Sequence, residues 1–286
     1  MIAQLATIAA SAGIYALLGI GIVIVYRASR VLNIAQGELA ILVAYIAVTL
    51  TKTGLPLWAS VIFSVLTGAL LGAVIFRFFV RPVMGEPPHV GLIVTVGLAI
   101  VLQGLMVTVF GGSSAILEIG YSGAVTVAGE RVAETDIVAA VGAWACVAAI
   151  LLINRLTNLG LQMRAVAERV ILSAQRGVRI DRIVGLSWAI AGVAAATAGM
   201  LHGQRSLITV SASIVGIKAL IACLVGGMNS LGGVVLGSIL VAAAEDLAFR
   251  GLGPRYALLV PILGLLAVLS VKPWGLFGTE EEMKRV

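Results

Sequence analysis

The sequence predicts an all-α polytopic membrane protein of about eight to nine transmembrane helices, some of them short or broken. Composition is the first reason: 60% of residues are hydrophobic, 11% are charged and the mean hydropathy is +1.13, whereas a soluble domain carries about 25% charged residues. Spacing is the second, because apolar runs near the ~20 residues that cross a bilayer recur along the chain. The third is an exception. Residues 154–183 (NRLTNLGLQMRAVAERVILSAQRGVRIDRI) are the one long polar stretch, so 1–286 reads as a single membrane domain with one presented segment.

Spans are expected near 5–26, 38–50, 57–80, 90–110, 136–153, 183–201, 213–227, 231–249 and 256–271, the second and seventh being short. The segment 154–183 holds Arg155, Arg164, Arg169, Arg176, Arg179 and Arg182 against Glu168 and Asp181. Loops this basic stay cytoplasmic. Alternating outward from it leaves Arg27, Arg30, Arg77, Arg81, the six loop arginines, Lys272, Lys284 and Arg285 inside. Lys52, Arg131, Arg205, Arg250 and Arg255 fall outside, and Lys218 lies within a span. The bias predicts an outer N-terminus and an inner C-terminus. No Lys or Arg precedes the first apolar run, which argues against a cleaved signal peptide.

The first break, RASRVLNIAQ at 27–36, is followed by Gly37 and Glu38 and by too few apolar residues to cross unless 33–37 lies partly in the bilayer. Polar backbone at that depth needs protein or a watery cavity around it. Asn33, Gln36 and Glu38 are therefore candidates for lining a pathway or bracing a helix end; the plainer alternative is a cytoplasmic turn with Glu38 at a helix N-terminus. The outer excursion 111–135 is acidic and contains a candidate hairpin, 124–127 and 131–133, turning at Gly129.

Residues 154–183 predict a short amphipathic helix, with Leu161, Ala165, Val166, Val170 and Ala174 on one face. Arg164 and Glu168 lie one turn apart on another, and Gly177 sits at the C-cap. A helix held beside the membrane in this way is a surface for a soluble partner. Gly160, Arg164, Ala165, Glu168 and Gly177 are its candidate contact and shaping residues, with Ala165 small enough to admit close approach.

Pairs of small residues at helical spacing (Gly68/Gly72, Gly192/Ala196, Ala195/Gly199, Gly233/Gly237) let membrane helices approach. The run Gly226, Gly227, Met228, Asn229, Ser230, Leu231, Gly232, Gly233 predicts a tight hairpin or broken helix, with Gly237 one turn on. Lys218 in the seventh span and Glu245 and Asp246 in the eighth form either a structural charge pair or, for Lys218, a substrate contact.

Several classes are excluded or disfavoured. The net charge of +6 is distributed among loops between apolar spans, not on one nucleic-acid-binding face. Cys146 and Cys223 lie in apolar runs and read as buried hydrophobes; His89 and His202 lack metal-ligand spacing. There is no G-x-x-x-x-G-K-[ST], G-x-S-x-G or H-E-x-x-H, so nucleotide chemistry would belong to another subunit.

Asn33-Ile-Ala-Gln-Gly-Glu38 resembles the Asn-x-Ala-Gln/His-Gly-Glu signature of the H-type (LivH-like) permeases of branched-chain amino-acid ABC importers. Gly160-Leu-Gln-Met-Arg-Ala-Val-Ala-Glu168, on to Ala174 and Gly177-Val178, resembles that family's cytoplasmic segment. Lys218-Ala219, the 226–233 run and the tail Lys272-Pro-Trp-Gly-Leu-Phe-Gly278 resemble its later motifs. Asn229 stands where Gly is usual and Gly232 where Pro is common.

The resemblance implies a type II ABC-importer-like permease in a bacterial-type inner membrane, forming half of a pore completed by a second homologous permease. Two cytoplasmic ATPases holding ATP and Mg²⁺ would drive it, an extracytoplasmic binding protein would deliver solute, and this chain would bind no cofactor and catalyse nothing. The family also includes importers of amides, urea and other small polar solutes, so the cargo stays open. The rival class is a stand-alone secondary transporter or channel, expected to carry more intramembrane ionisable groups.

Overall fold

The computed structural model describes residues 1–118, 120, 123–127 and 129–278. Among them, the helices are α1 (Ile2–Ser29), α2 (Gln36–Lys52), α3 (Leu57–Ile75), α4 (Pro88–Phe110), α5 (Glu134–Leu156), α6 (Asn158–Glu168), α7 (Val170–Gln175), α8 (Ile180–Gly203), α9 (Ile214–Gly226), α10 (Leu231–Gly251) and α11 (Leu259–Val271). Helix α3 runs on through a π turn at Phe76–Val80 and a 3-10 turn at Arg81–Val83. Each of the nine expected spans has a helical counterpart, and seven helices are long and apolar enough to cross a membrane. The two short spans have one cause. Irregular chain at 31–35 leads into α2, and the loop after α8, ending in a 3-10 turn at Val210–Ser213, leads into α9.

Helix α1 is the hub, buried almost continuously from Ala10 to Val25 and packed against α5, α8, α9 and α10. Small residues let it sit there: a Cβ on Gly13 would come within 2.7 Å of Ala143, and one on Gly19 within 2.7 Å of Val234. The same device joins α3 to α8. Methyls added at Gly68 and Gly192 would each strike the other residue's carbonyl, and one at Gly72 would strike that of Trp188. Gly199 meets the backbone of Ala40 on α2 in the same way. The backbones are thus in direct contact, which is how helices associate where water supplies no drive. The opposite surface is apolar and open: Leu70 on α3 and Ile100 on α4 are 64% and 66% exposed, as a bilayer-facing or subunit-facing girdle requires.

The two ends of the bundle are distinct. At one, the Met1 ammonium lies 2.6 Å from Glu130, holding that carboxyl below the usual range, Gln4 donates to Asp246 (2.9 Å) and Arg205 pairs with Asp136 (2.7 Å). There β1 (Ala124–Val127) and β2 (Glu130–Ala133) form an antiparallel hairpin turning at Gly129, whose φ is +85°. At the other end Arg30 donates to Ala167 O (3.2 Å) and Arg81 pairs with Asp181. The grouping matches the alternation expected from charge; Lys284 and Arg285 lie outside the described residues.

Candidate functional site

The break before α2 lies deep in the bundle. Asn33 Nδ2 donates to Gln36 Oε1 (2.7 Å), and Gln36 Nε2 donates to Ala191 O (2.9 Å). Ala191 is midway along α8, about 17 Å of helix rise from either end. Thr95 Oγ1 on α4 donates to Leu32 O (2.8 Å). Thr95 thus satisfies a carbonyl of the backbone that has left its helix, and the two amides brace the break against α8. The segment is not a loop in water: Asn33 and Gln36 are fully buried.

Gly37 then meets the first turn of α9, where an added methyl would strike Ser213 O and come within 2.9 Å of Gly216 Cα. Two half-helices, α2 running one way and α9 the other, start against each other in the interior. That arrangement is typical of transporter solute sites. Glu38, in the first turn of α2, is 8% exposed and accepts from Gln103 Nε2 on α4 (3.0 Å). Asn33, Gln36, Gly37 and Glu38 are therefore brought together. Gln103 and Thr95 were not legible in advance, since a lone amide or hydroxyl in an apolar run has no periodic signature.

Lys218 belongs to a different cluster. Although two residues past Gly216, its ammonium pairs with Glu245 and sits 5.9 Å from the Tyr15 ring centroid. Tyr15 donates to the other Glu245 oxygen (2.5 Å). Asp246 turns away to Arg250 (3.0 Å) and Gln4. Nearer the hairpin end, Arg205 reaches Asp136 and Ser11 Oγ (3.2 Å), and Thr7 donates to Asp136 (2.7 Å). These bonds tie α1, α5, α9 and α10 together. Among the described residues no group of three or more His, Cys, Asp or Glu could hold a metal ion.

Residues 154–183 form two helices, which corrects the single helix expected. At Arg169 the backbone is extended (φ −147°, ψ 91°), separating α6 from α7. The buried face differs too. Met163 and Val166, with Leu159 beside them, pack on Ile183, while Leu161 is exposed. Leu161 lies two residues from Leu159 and from Met163, about 200° round the helix, so it cannot share their face.

Thr157 caps α6, its hydroxyl accepting from Gly160 N (3.1 Å), and Gly160 packs so closely on Asn154 O that a side chain would collide. Arg164 folds back onto Asn154 O and does not reach outward; Ala165 is half-buried and Glu168 exposed. Gly177, at φ +83°, completes a Schellman cap: Gly177 N donates to Ala174 O (2.9 Å) and Val178 N to Ser173 O (3.1 Å). On α7, Val170, Ile171 and Leu172 point outward, Ile171 being 75% exposed, a feature that a mixed arginine-rich pattern concealed.

The glycine run makes a tight hairpin. Methyls at Gly226, Gly233 and Gly237 would each strike backbone across the α9–α10 pair, and Ser230 caps α10 by accepting from Gly233 N (2.9 Å). Gly227 takes φ +105°, and the tail lies across the turn through Leu276 N to Val225 O (2.9 Å) and Phe277 N to Gly226 O (3.1 Å). Asn229 buries an Oδ1 that finds no partner among the described residues. Gly232 is a correction: it is exposed, a methyl there would meet nothing, and packing does not need it.

The family model described as "Branched-chain amino acid transport system / permease component" matches residues 4–269. The chain belongs to this permease family. Among curated relatives, the high-affinity branched-chain amino acid transport system permease protein LivH of Salmonella typhimurium is 26% identical, covering 94% of this permease and 93% of the relative. BraD of Pseudomonas aeruginosa is 28% identical with the same coverage, and a probable LivH of Methanocaldococcus jannaschii is 24% identical over 94% and 90%. Of solved structures, PsaBC from Streptococcus pneumoniae in complex with Fab aligns over 93% of this chain and 91% of that one, with 13% identity and a TM-score of 0.49, too weak a likeness to bear on the fold. The permease is a multi-pass, all-α membrane protein of the family that the motifs at 33–38, 160–178 and 226–233 suggested.

Proposed function

We propose that this permease is one half of the translocation pore of an ATP-driven importer for branched-chain or related amino acids. A second, homologous permease completes the pore as a heterodimer, two cytoplasmic ABC ATPases hold ATP and Mg²⁺, and an extracytoplasmic binding protein delivers the solute. The chain itself binds no cofactor and performs no catalysis, and it resides in a bacterial-type inner membrane. Its relatives' names support the cargo class.

The observation that carries the reading is the α6–α7 pair. It is tied to α8 through Val166 and Ile183, capped at both ends, and presents exposed Val170, Ile171 and Leu172 beside a row of arginines. A rigid handle with an apolar tip suits a soluble motor, and the chain lacks the G-x-x-x-x-G-K-[ST] phosphate loop. The test is reconstitution of the permease with its co-purified partners in proteoliposomes. ATP-dependent uptake of labelled leucine that requires the ATPases is the expected result. Uptake by this chain alone, without ATPases, would establish the secondary-transporter reading instead.

A further inference from the structure

We infer that Glu38 is the intramembrane counter-ion for the ammonium group of the solute during its passage. This rests on the amino-acid importer reading above. Three carboxylates packed between helices have cations: Glu245 has Lys218, Asp136 has Arg205 and Asp246 has Arg250. Glu38 has none within salt-bridge distance among the described residues. It is buried in the first turn of α2, opposite the start of α9, and among the described residues its one hydrogen-bond donor is the neutral amide of Gln103. The N-terminal dipole of α2 and that amide keep the carboxylate tolerable between passages.

An acceptor-only carboxylate at this depth recognises a donor cation, and ionisable groups within membrane proteins mark solute routes. Access is short. Gln103 is half-buried on α4, a helix packed chiefly on α2, with Ile100 and Val101 exposed beside it. Glu38 therefore lies one side chain behind a surface that only a second subunit or lipid would cover. The solute class is a primary ammonium, as leucine, isoleucine and valine carry and as urea and simple amides do not.

Two measurements on the whole reconstituted importer test this. Glu38→Gln preserves shape and the Gln103 contact region but removes the charge; leucine uptake should fall at least tenfold while Glu38→Asp keeps a substantial fraction. Independently, Gln103→Cys in a Cys146→Ala background should react with 2-aminoethyl methanethiosulfonate during turnover, and excess leucine should slow that reaction several-fold. Normal uptake by Glu38→Gln overturns the inference. So does a Gln103→Cys site that stays unreactive or is indifferent to leucine, even where Glu38→Gln fails to assemble. A wild-type complex that imports no leucine refutes the amino-acid reading first, and this inference with it.

Discussion

Lys218 and Glu245 show what a single residue can settle here. Each is about a fifth exposed, they meet between α9 and α10, and Tyr15 holds the second carboxylate oxygen. Removing one partner strands the other in a poorly solvated place. Lys218→Met should lower stability by about 1–3 kcal/mol, and adding Glu245→Gln should recover most of that loss; thermal unfolding in detergent reads both, and additive losses would show that the two do not act as a pair. Glycine positions differ just as sharply. Gly192→Val drives side-chain atoms into Gly68 of α3 and should cost about 1–3 kcal/mol as overpacking. Gly232→Ala meets open space and gains helix propensity of up to ~1 kcal/mol. Equal stabilities for these two variants would contradict the packing described.

The elements were legible to different depths. The long spans were readable because hydrocarbon thickness sets a length that composition must meet, and α1, α3, α4, α5, α8 and α10 fill it. The short α2 was also visible, since Asn33 to Gly37 interrupt the apolar run, and the span at 213–227 read as short from its length alone. Which helices those polar side chains would find was not visible: Gln36 meets Ala191, 155 residues away, and nothing local encodes that partner. In 154–183 the break at Arg169 escaped because arginine is a good helix former and carries no stop signal. Gly177 did carry one, and its φ of +83° is where a Cβ is strained. Gly177→Ala should therefore fray α7 and raise amide exchange across 170–178 by roughly tenfold, equivalent to about 1.4 kcal/mol. Unchanged protection there would remove the cap from the account.

At the scale of the whole molecule, the charge asymmetry and the contacts divide the permease into the same two ends. By the charge bias Thr126, exposed in the hairpin, is expected to face outward and Gln175, exposed on α7, inward. In cells, a membrane-impermeant thiol reagent should label Thr126→Cys directly and Gln175→Cys only after permeabilisation; the reverse pattern would invert the topology.

The claim on which the rest depends is that motion enters this bundle through α6 and α7. Because α6 is packed on α8 through Val166 and Ile183, a push on the pair reaches the helix that carries Ala191, the acceptor of Gln36. Coupling of this kind needs one element that both sites contact. Ile171→Asp changes an exposed side chain, and Ala165→Trp adds bulk at a half-buried one, so neither should prevent insertion. The decisive measurement is the amount of ATPase that co-purifies with each variant, alongside leucine uptake by the same preparation. The account predicts a permease that inserts and pairs with its second subunit, with ATPase recovery reduced at least tenfold and uptake abolished. Full ATPase recovery with normal uptake in both variants would contradict it.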